Sequence, residues 1–229
     1  MFWKSKYFKA INLINQGNLK EALIEFDKML DRKPKYYAMV QYAFFLIKAG
    51  EYEKAEKLYN NYIFKDISKK KPKDKILSDI NYALLVWKKG DLDYAIELTE
   101  DLLEKYKTTS IYVNLGLFLI LKGDYEKALK VNLEAYDFSP ENLGVLDNLG
   151  MNYYYLGDYE NSKKIYEQLF SIKENPSFAD CYFNYGRLLN KLDQKETAKA
   201  FLEKALTAEF SVFSSVTKEQ VEEELKNLP

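Results

Sequence analysis

The sequence predicts an all-α solenoid of antiparallel helix pairs, and three observations carry that prediction. A turn of Gly, then an acidic residue or Asn, then Leu or Tyr, with a small residue three further on, recurs along the chain. It reads Gly17-Asn18-Leu19…Ala22, Gly50-Glu51-Tyr52…Ala55, Gly90-Asp91-Leu92…Ala95, Gly123-Asp124-Tyr125…Ala128 and Gly157-Asp158-Tyr159…Ser162, with a worn sixth copy at Asp193-Gln194-Lys195…Ala198. The small residues at 22, 55, 95, 128, 162 and 198 are 33, 40, 33, 34 and 36 residues apart, a period that marks a helical array. Twelve residues before each of them stands another small residue: Ala10, Ala43, Ala83, Gly116, Gly150 and Gly186. Two helices approach closely only where both lack bulk, so each such pair predicts a crossing point.

Each unit therefore reads as helix, tight turn, helix. Glycine ends the first helix in the left-handed conformation, and Asn18, Asp91, Asp124 or Asp158 accepts the free N–H groups that open the second. The repeats run over 3–35, 36–75, 76–108, 109–142, 143–178 and 179–212 as one domain across 1–229. The second is lengthened by a Lys-rich insertion at 65–75, "KDISKKKPKDK", predicted to be a solvated loop because Pro72 and clustered like charge resist helix. The sixth has lost its turn glycine at Asp193 and is the weakest copy. Beyond it Thr217 and Gln220 form a capping-box start, and Val221, Leu225 and Leu228 recur at helical spacing. That pattern predicts a polar-backed capping helix over 217–228.

Residue by residue the pattern resembles the tetratricopeptide repeat family, in Leu115-Gly116, Gly123-Asp124-Tyr125, Ala128, Ala135 and Pro140, and in the first-helix asparagines Asn81, Asn114, Asn148 and Asn184. The resemblance spans about Trp3 to Val212. It implies a right-handed superhelix whose first helices line a concave surface. There, the fifth, ninth and twelfth positions of each first helix usually touch a ligand. The fifth positions are Tyr7, Val40, Ile80, Val113, Asp147 and Phe183; the ninth are Ile11, Phe44, Leu84, Leu117, Met151 and Arg187; the twelfth are Ile14, Ile47, Trp87, Ile120, Tyr154 and Asn190.

Through five repeats this strip is almost wholly apolar, and it predicts partner-binding residues at Val40, Phe44, Ile47, Ile80, Leu84, Trp87, Val113, Leu117, Ile120, Asp147, Met151, Tyr154 and Arg187. An apolar or amphipathic peptide segment suits such a groove. Two other fates remain open for the same strip: plain core, or a groove filled by the chain's own last helix or by a second copy. Some family members clamp a terminal carboxylate with Lys, Arg and Asn at the fifth and ninth positions, which the apolar residues here cannot do. At the sixth repeat Asp147, Arg187, Asn190 and Lys191 turn the strip polar, either to orient a ligand or as a salt bridge between repeats. Phe2, Trp3, Tyr7 and Phe8 have no preceding helix to cover them, which makes the first repeat a candidate surface for homo-oligomers.

Composition narrows the function. No histidine occurs among the 229 residues, which removes the commonest general base and metal ligand. With the carboxylates and lysines mostly on outward helix positions, the expected protein is non-enzymatic, without cofactor or metal. A formal net charge of −1 and an apolar inner strip argue against nucleic-acid binding, and no stretch reads as a membrane span or a leader. The lone Cys181 fits a reducing compartment, with the cytoplasm expected. Lysine far outnumbers arginine, present only at Arg32 and Arg187, which hints at a low-GC bacterial source. The reading is an interaction adaptor or scaffold, with a homo-oligomeric structural protein as the alternative.

Overall fold

In the computed structural model, which describes residues 2–66 and 72–228, every turn glycine of the repeat is left-handed. Gly17, Gly50, Gly90, Gly123 and Gly157 have φ between 76° and 97°, a region closed to most side chains. Each closes a first helix so that the second folds back along it. The helices are α1 (Phe2–Asn15), α2 (Leu19–Leu30), α3 (Tyr36–Lys48), α4 (Tyr52–Leu58), α5 (Phe64–Asp66), α6 (Pro72–Lys88) and α7 (Leu92–Lys105). Then come α8 (Thr109–Lys122), α9 (Tyr125–Phe138), α10 (Leu143–Tyr155), α11 (Tyr159–Ile172), α12 (Ala179–Lys191), α13 (Lys195–Thr207) and α14 (Lys218–Lys226). The architecture is an all-α solenoid of tetratricopeptide type, and it divides into two compact units, Met1–Leu98 and Thr99–Pro229.

Asp91, Asp124 and Asp158 cap their helices as expected, accepting from the backbone N–H of Tyr94, Lys127 and Asn161. Asn18 makes no such bond. Asp193, where glycine is missing, still adopts φ 58°, so the sixth turn keeps its shape with a strained residue in it. Asp193→Gly is expected to stabilise the fold by about 0.5–1 kcal/mol, read as a raised urea midpoint with unchanged slope. A lowered midpoint would show that the aspartate side chain outweighs its backbone cost.

The crossing points form where both helices are small. In unit 2 the Ser162 hydroxyl donates to the Gly150 carbonyl at 2.7 Å, and a Cβ added at Gly186 would lie 3.3 Å from the Ala198 carbonyl. Successive first helices are stitched by their asparagines: Asn148 Nδ2 donates to the Val113 carbonyl at 2.7 Å, and Asn184 Nδ2 to Asp147 Oδ1 at 3.2 Å. The core of unit 2 gathers Leu146, Tyr166, Leu188, Leu202 and Val221, flanked by rings of Phe170, Tyr185 and Phe201. Cys181 lies inside it, its thiol donating to the Phe178 carbonyl, and burial pushes its pKa up. It is packing, as a lone buried thiol usually is.

Two expectations are corrected. The insertion is not simply a loop. Its first residues continue the second helix of repeat two, which passes through a π-helical turn at Tyr59–Ile63 into α5, and Pro72 is the first residue of α6. The missing N–H of proline costs nothing at that position, where no intrahelical acceptor exists. Residues 67–71, with most of the lysine cluster, lie outside the described residues. The N-terminal aromatics are also not bare: Trp3 and Tyr7 are buried, with Tyr37 set edge-on to them at 5.9 and 5.6 Å. Only Phe8 stands out, 58% exposed, and the Phe2 side chain lies outside the described residues.

Candidate functional site

Helices α8, α10 and α12 lie side by side in unit 2, so residues on their shared face converge. Together with α14 they bound an open cleft of about 450 Å³. Ile120 and Leu121 come from α8, Met151 and Tyr155 from α10, and Phe183, Asn184 and Arg187 from α12. Tyr125, at the start of α9, stacks face to face on Tyr155 with ring centroids 5.0 Å apart and planes 1° from parallel. The opposite wall is Gln220, Glu223, Glu224 and Asn227 of the closing helix and its C-terminal cap.

Arg187 sits at the junction of these walls. Its guanidinium lies 4.9 Å from the Tyr154 ring, 5.4 Å from Phe183 and 5.8 Å from Tyr155, within cation–π range. Nη1 donates to the Tyr155 hydroxyl at 3.3 Å, and Nε is 3.9 Å from Glu224 Oε2. Burial works to lower its pKa, but the Tyr155 hydrogen bond and the nearby Tyr154, Tyr155 and Glu224 outweigh it, so the group stays cationic. Asn190 Nδ2 also donates to Glu224, at 3.4 Å. Arg187 and Asn190 thus grip the closing helix, while Val221 plugs it into the core. The polar end of the strip is engaged both by α14, through Glu224, and by the preceding repeat, through Tyr155.

Asp147 is withdrawn from the surface. Its carboxylate accepts from Tyr166 at 3.1 Å and Asn184 at 3.2 Å, and burial raises its pKa to about 7, with Asp180 adding repulsion. Asp180 in turn accepts from the backbone and hydroxyl of Ser215, which leads into α14.

Of the strip predicted from sequence, Ile120, Met151 and Arg187 line this cleft, and Tyr154 lies beneath the guanidinium. Val40, Ile47, Ile80, Leu84 and Leu117 are buried, whereas Phe44, Trp87 and Val113 are half-buried. Phe44 packs edge-on to Phe45, the Lys88 ammonium lies 3.8 Å from the Trp87 ring, and Val113 packs with Tyr112, Ala135 and Val145. The α14 wall corresponds to one of the open alternatives, the chain's own last helix at the groove, whereas the Tyr125–Tyr155 stack has no counterpart in the sequence reading. Tyr125 belongs to the turn signature and its offset from the strip conceals it. Among the described residues no helix is long and apolar enough to cross a membrane.

Comparison with known proteins gives the same architecture. Two family models, both described as tetratricopeptide repeat, match residues 82–142 and residues 143–176 and 179–211, together more than half of the chain. BBSome complex member BBS4 of Bos taurus is 29% identical over 158 residues, covering 68% of this chain and 29% of its own length. DnaJ homolog subfamily C member 3 of Gallus gallus is 22% identical over 206 residues, covering 86% and 41%. The chain spans less than half the length of these curated relatives. The crystal structure of a tetratricopeptide repeat protein from Parabacteroides merdae superimposes with a TM-score of 0.77 at 19% identity, over 98% of this chain and 83% of that one, a likeness of fold. On the repeats, their turns and these matches, the chain belongs to the tetratricopeptide repeat family.

Proposed function

We propose that the chain is a non-enzymatic adaptor that takes a peptide segment of a partner protein into the unit 2 cleft. Tetratricopeptide repeats are generally protein–protein interaction modules, and the proteins built from them are generally non-enzymatic scaffolds. The observation that supports this site is the convergence of Ile120, Met151, Tyr155 and Arg187 from three successive repeats on one open cleft. Ile120, Leu121, Met151 and the Tyr125–Tyr155 pair give it an apolar and aromatic side and Gln220, Glu223, Glu224 and Asn227 a polar one, which fits a segment with one apolar and one polar face. A reducing compartment such as the cytoplasm suits the buried, unpaired thiol of Cys181.

Panning a displayed library of short random peptides on the purified chain tests the reading. Binders are expected that lose at least about tenfold in affinity on Tyr155→Ala with Arg187→Ala, with helical circular dichroism retained. A library without binders, or binders indifferent to both changes, refutes the cleft. The alternative, a homo-oligomer with a self-filled cleft, predicts a mass in light scattering that falls on dilution.

A further inference from the structure

The two walls of the unit 2 cleft differ in chemistry, and that difference specifies an occupant. One wall is apolar and aromatic: Ile120, Leu121, Met151 and the stacked Tyr125–Tyr155 pair, with Tyr155 39% exposed and Leu121 38%. The other belongs to α14, whose Glu219, Glu222, Glu223 and Glu224 outnumber Lys218 and Lys226 by two. Glu223 and Glu224 are the two that face the cleft.

The one cation among the described residues that line the cleft is already engaged. Three rings surround Arg187, the Tyr155 hydroxyl accepts from it, and Glu224 lies beside it. The Glu223 carboxylate, exposed at the mouth, has no hydrogen-bond or ion-pair partner among the described residues. An incoming carboxylate would therefore meet an unpaired negative charge and an arginine that has partners. An incoming ammonium or guanidinium would meet Glu223 and the partly exposed Tyr125–Tyr155 pair, both attractive.

Building on the adaptor reading above, we infer that the cleft selects a basic amphipathic segment of a partner, its apolar residues against α8 and α10 and a Lys or Arg beside Glu223. Apolar contact supplies the affinity and the charge sets the choice of partner, because a like charge placed here costs more than an opposite one gains.

Three fluorescein-labelled peptides of about four helical turns test it, sharing one leucine face and carrying Lys/Arg, Gln or Glu on the other face. Fluorescence anisotropy is expected to rank them basic, neutral, acidic, with the basic peptide weakening as salt is raised. Glu223→Gln is expected to narrow the gap between the basic and neutral peptides, and Glu223→Lys to weaken the basic peptide about tenfold while improving the acidic one. Glu223 lies on an exposed helix position, so both variants should fold as the parent does. Equal or tighter binding of the neutral or acidic peptide, or a basic peptide indifferent to Glu223, overturns the charge selection, and the library binders sensitive to Tyr155 and Arg187 would still uphold the adaptor reading. Failure of all three peptides overturns it as well, and failure of the library alongside refutes both. A dimer in light scattering that dissolves on Glu223→Lys would place a second copy in the cleft and overturn the partner assignment.

Discussion

Gly150→Ala is expected to destabilise unit 2 by about 3 kcal/mol, among the largest effects available from a single methyl group in this chain. An added Cβ would lie 2.7 Å from Cε2 and 2.9 Å from Cζ of Tyr166. The ring has nowhere to move. It is fully buried, stacks on Tyr185 at 5.3 Å, and is tethered through its hydroxyl to the carbonyl and carboxylate of Asp147. Gly144→Ala is the control: its Cβ would meet nothing closer than 3.3 Å, at Asn142 and a Val113 methyl, and it is expected to change stability by less than about 1 kcal/mol. Urea unfolding followed by circular dichroism separates the two. Equal midpoints would mean that α10 and α11 do not approach as closely as their small residues imply.

Asp147→Asn is expected to raise stability at pH 8 by about 2–4 kcal/mol and to leave it nearly unchanged at pH 4. The sign follows from burial, which lifts the carboxyl to about 7 from an ordinary 3.8, with Asp180 of α12 adding repulsion and the Asn184 and Tyr166 hydrogen bonds opposing it. Between those two values the folded chain holds a proton that the unfolded chain has released. The contribution is therefore whole below pH 4 and lost as pH rises through 7. Asparagine keeps the acceptor oxygen for Asn184 and Tyr166 while removing the charge. Glu25 in unit 1 has the opposite sense: hydrogen bonds from Lys28 first, then Lys9 and Lys6, outweigh burial and lower its carboxyl to about 2, so its contribution is lost as pH falls from 4.5. The two windows overlap only between 3.8 and 4.5, and comparing Asp147→Asn with the parent at pH 4, 6 and 8 cancels the Glu25 part and isolates Asp147. A parent whose stability is flat over that range would refute the assignment.

What could be read in advance was whatever is local. Gly123 with Asp124, or Thr217 with Gln220, fixes its own turn through bonds spanning three to five residues, and these stand as expected. Pro72 misled because a breaker inside a helix and a first residue of one look alike without the neighbouring backbone. Burial along the inner strip was less legible. Leu84 and Phe44 occupy the same position in consecutive repeats, yet one is sealed and the other half-open, since that depends on what lies opposite. The place of α14 against the strip stays one option among several in the sequence for the same reason. Its capping box announces a helix, but its seat is set by contacts from Asn190 and Asp180 across 34 and 35 residues of chain.

The single thiol of the chain is an internal clock for the last repeats. Because Cys181 is sealed in the unit 2 core beneath Phe178, a disulfide reagent can consume it only when that packing parts. The pace of labelling in native buffer therefore counts those excursions without any foreign probe. A tight occupant of the cleft should slow it, making occupancy measurable on the unaltered protein.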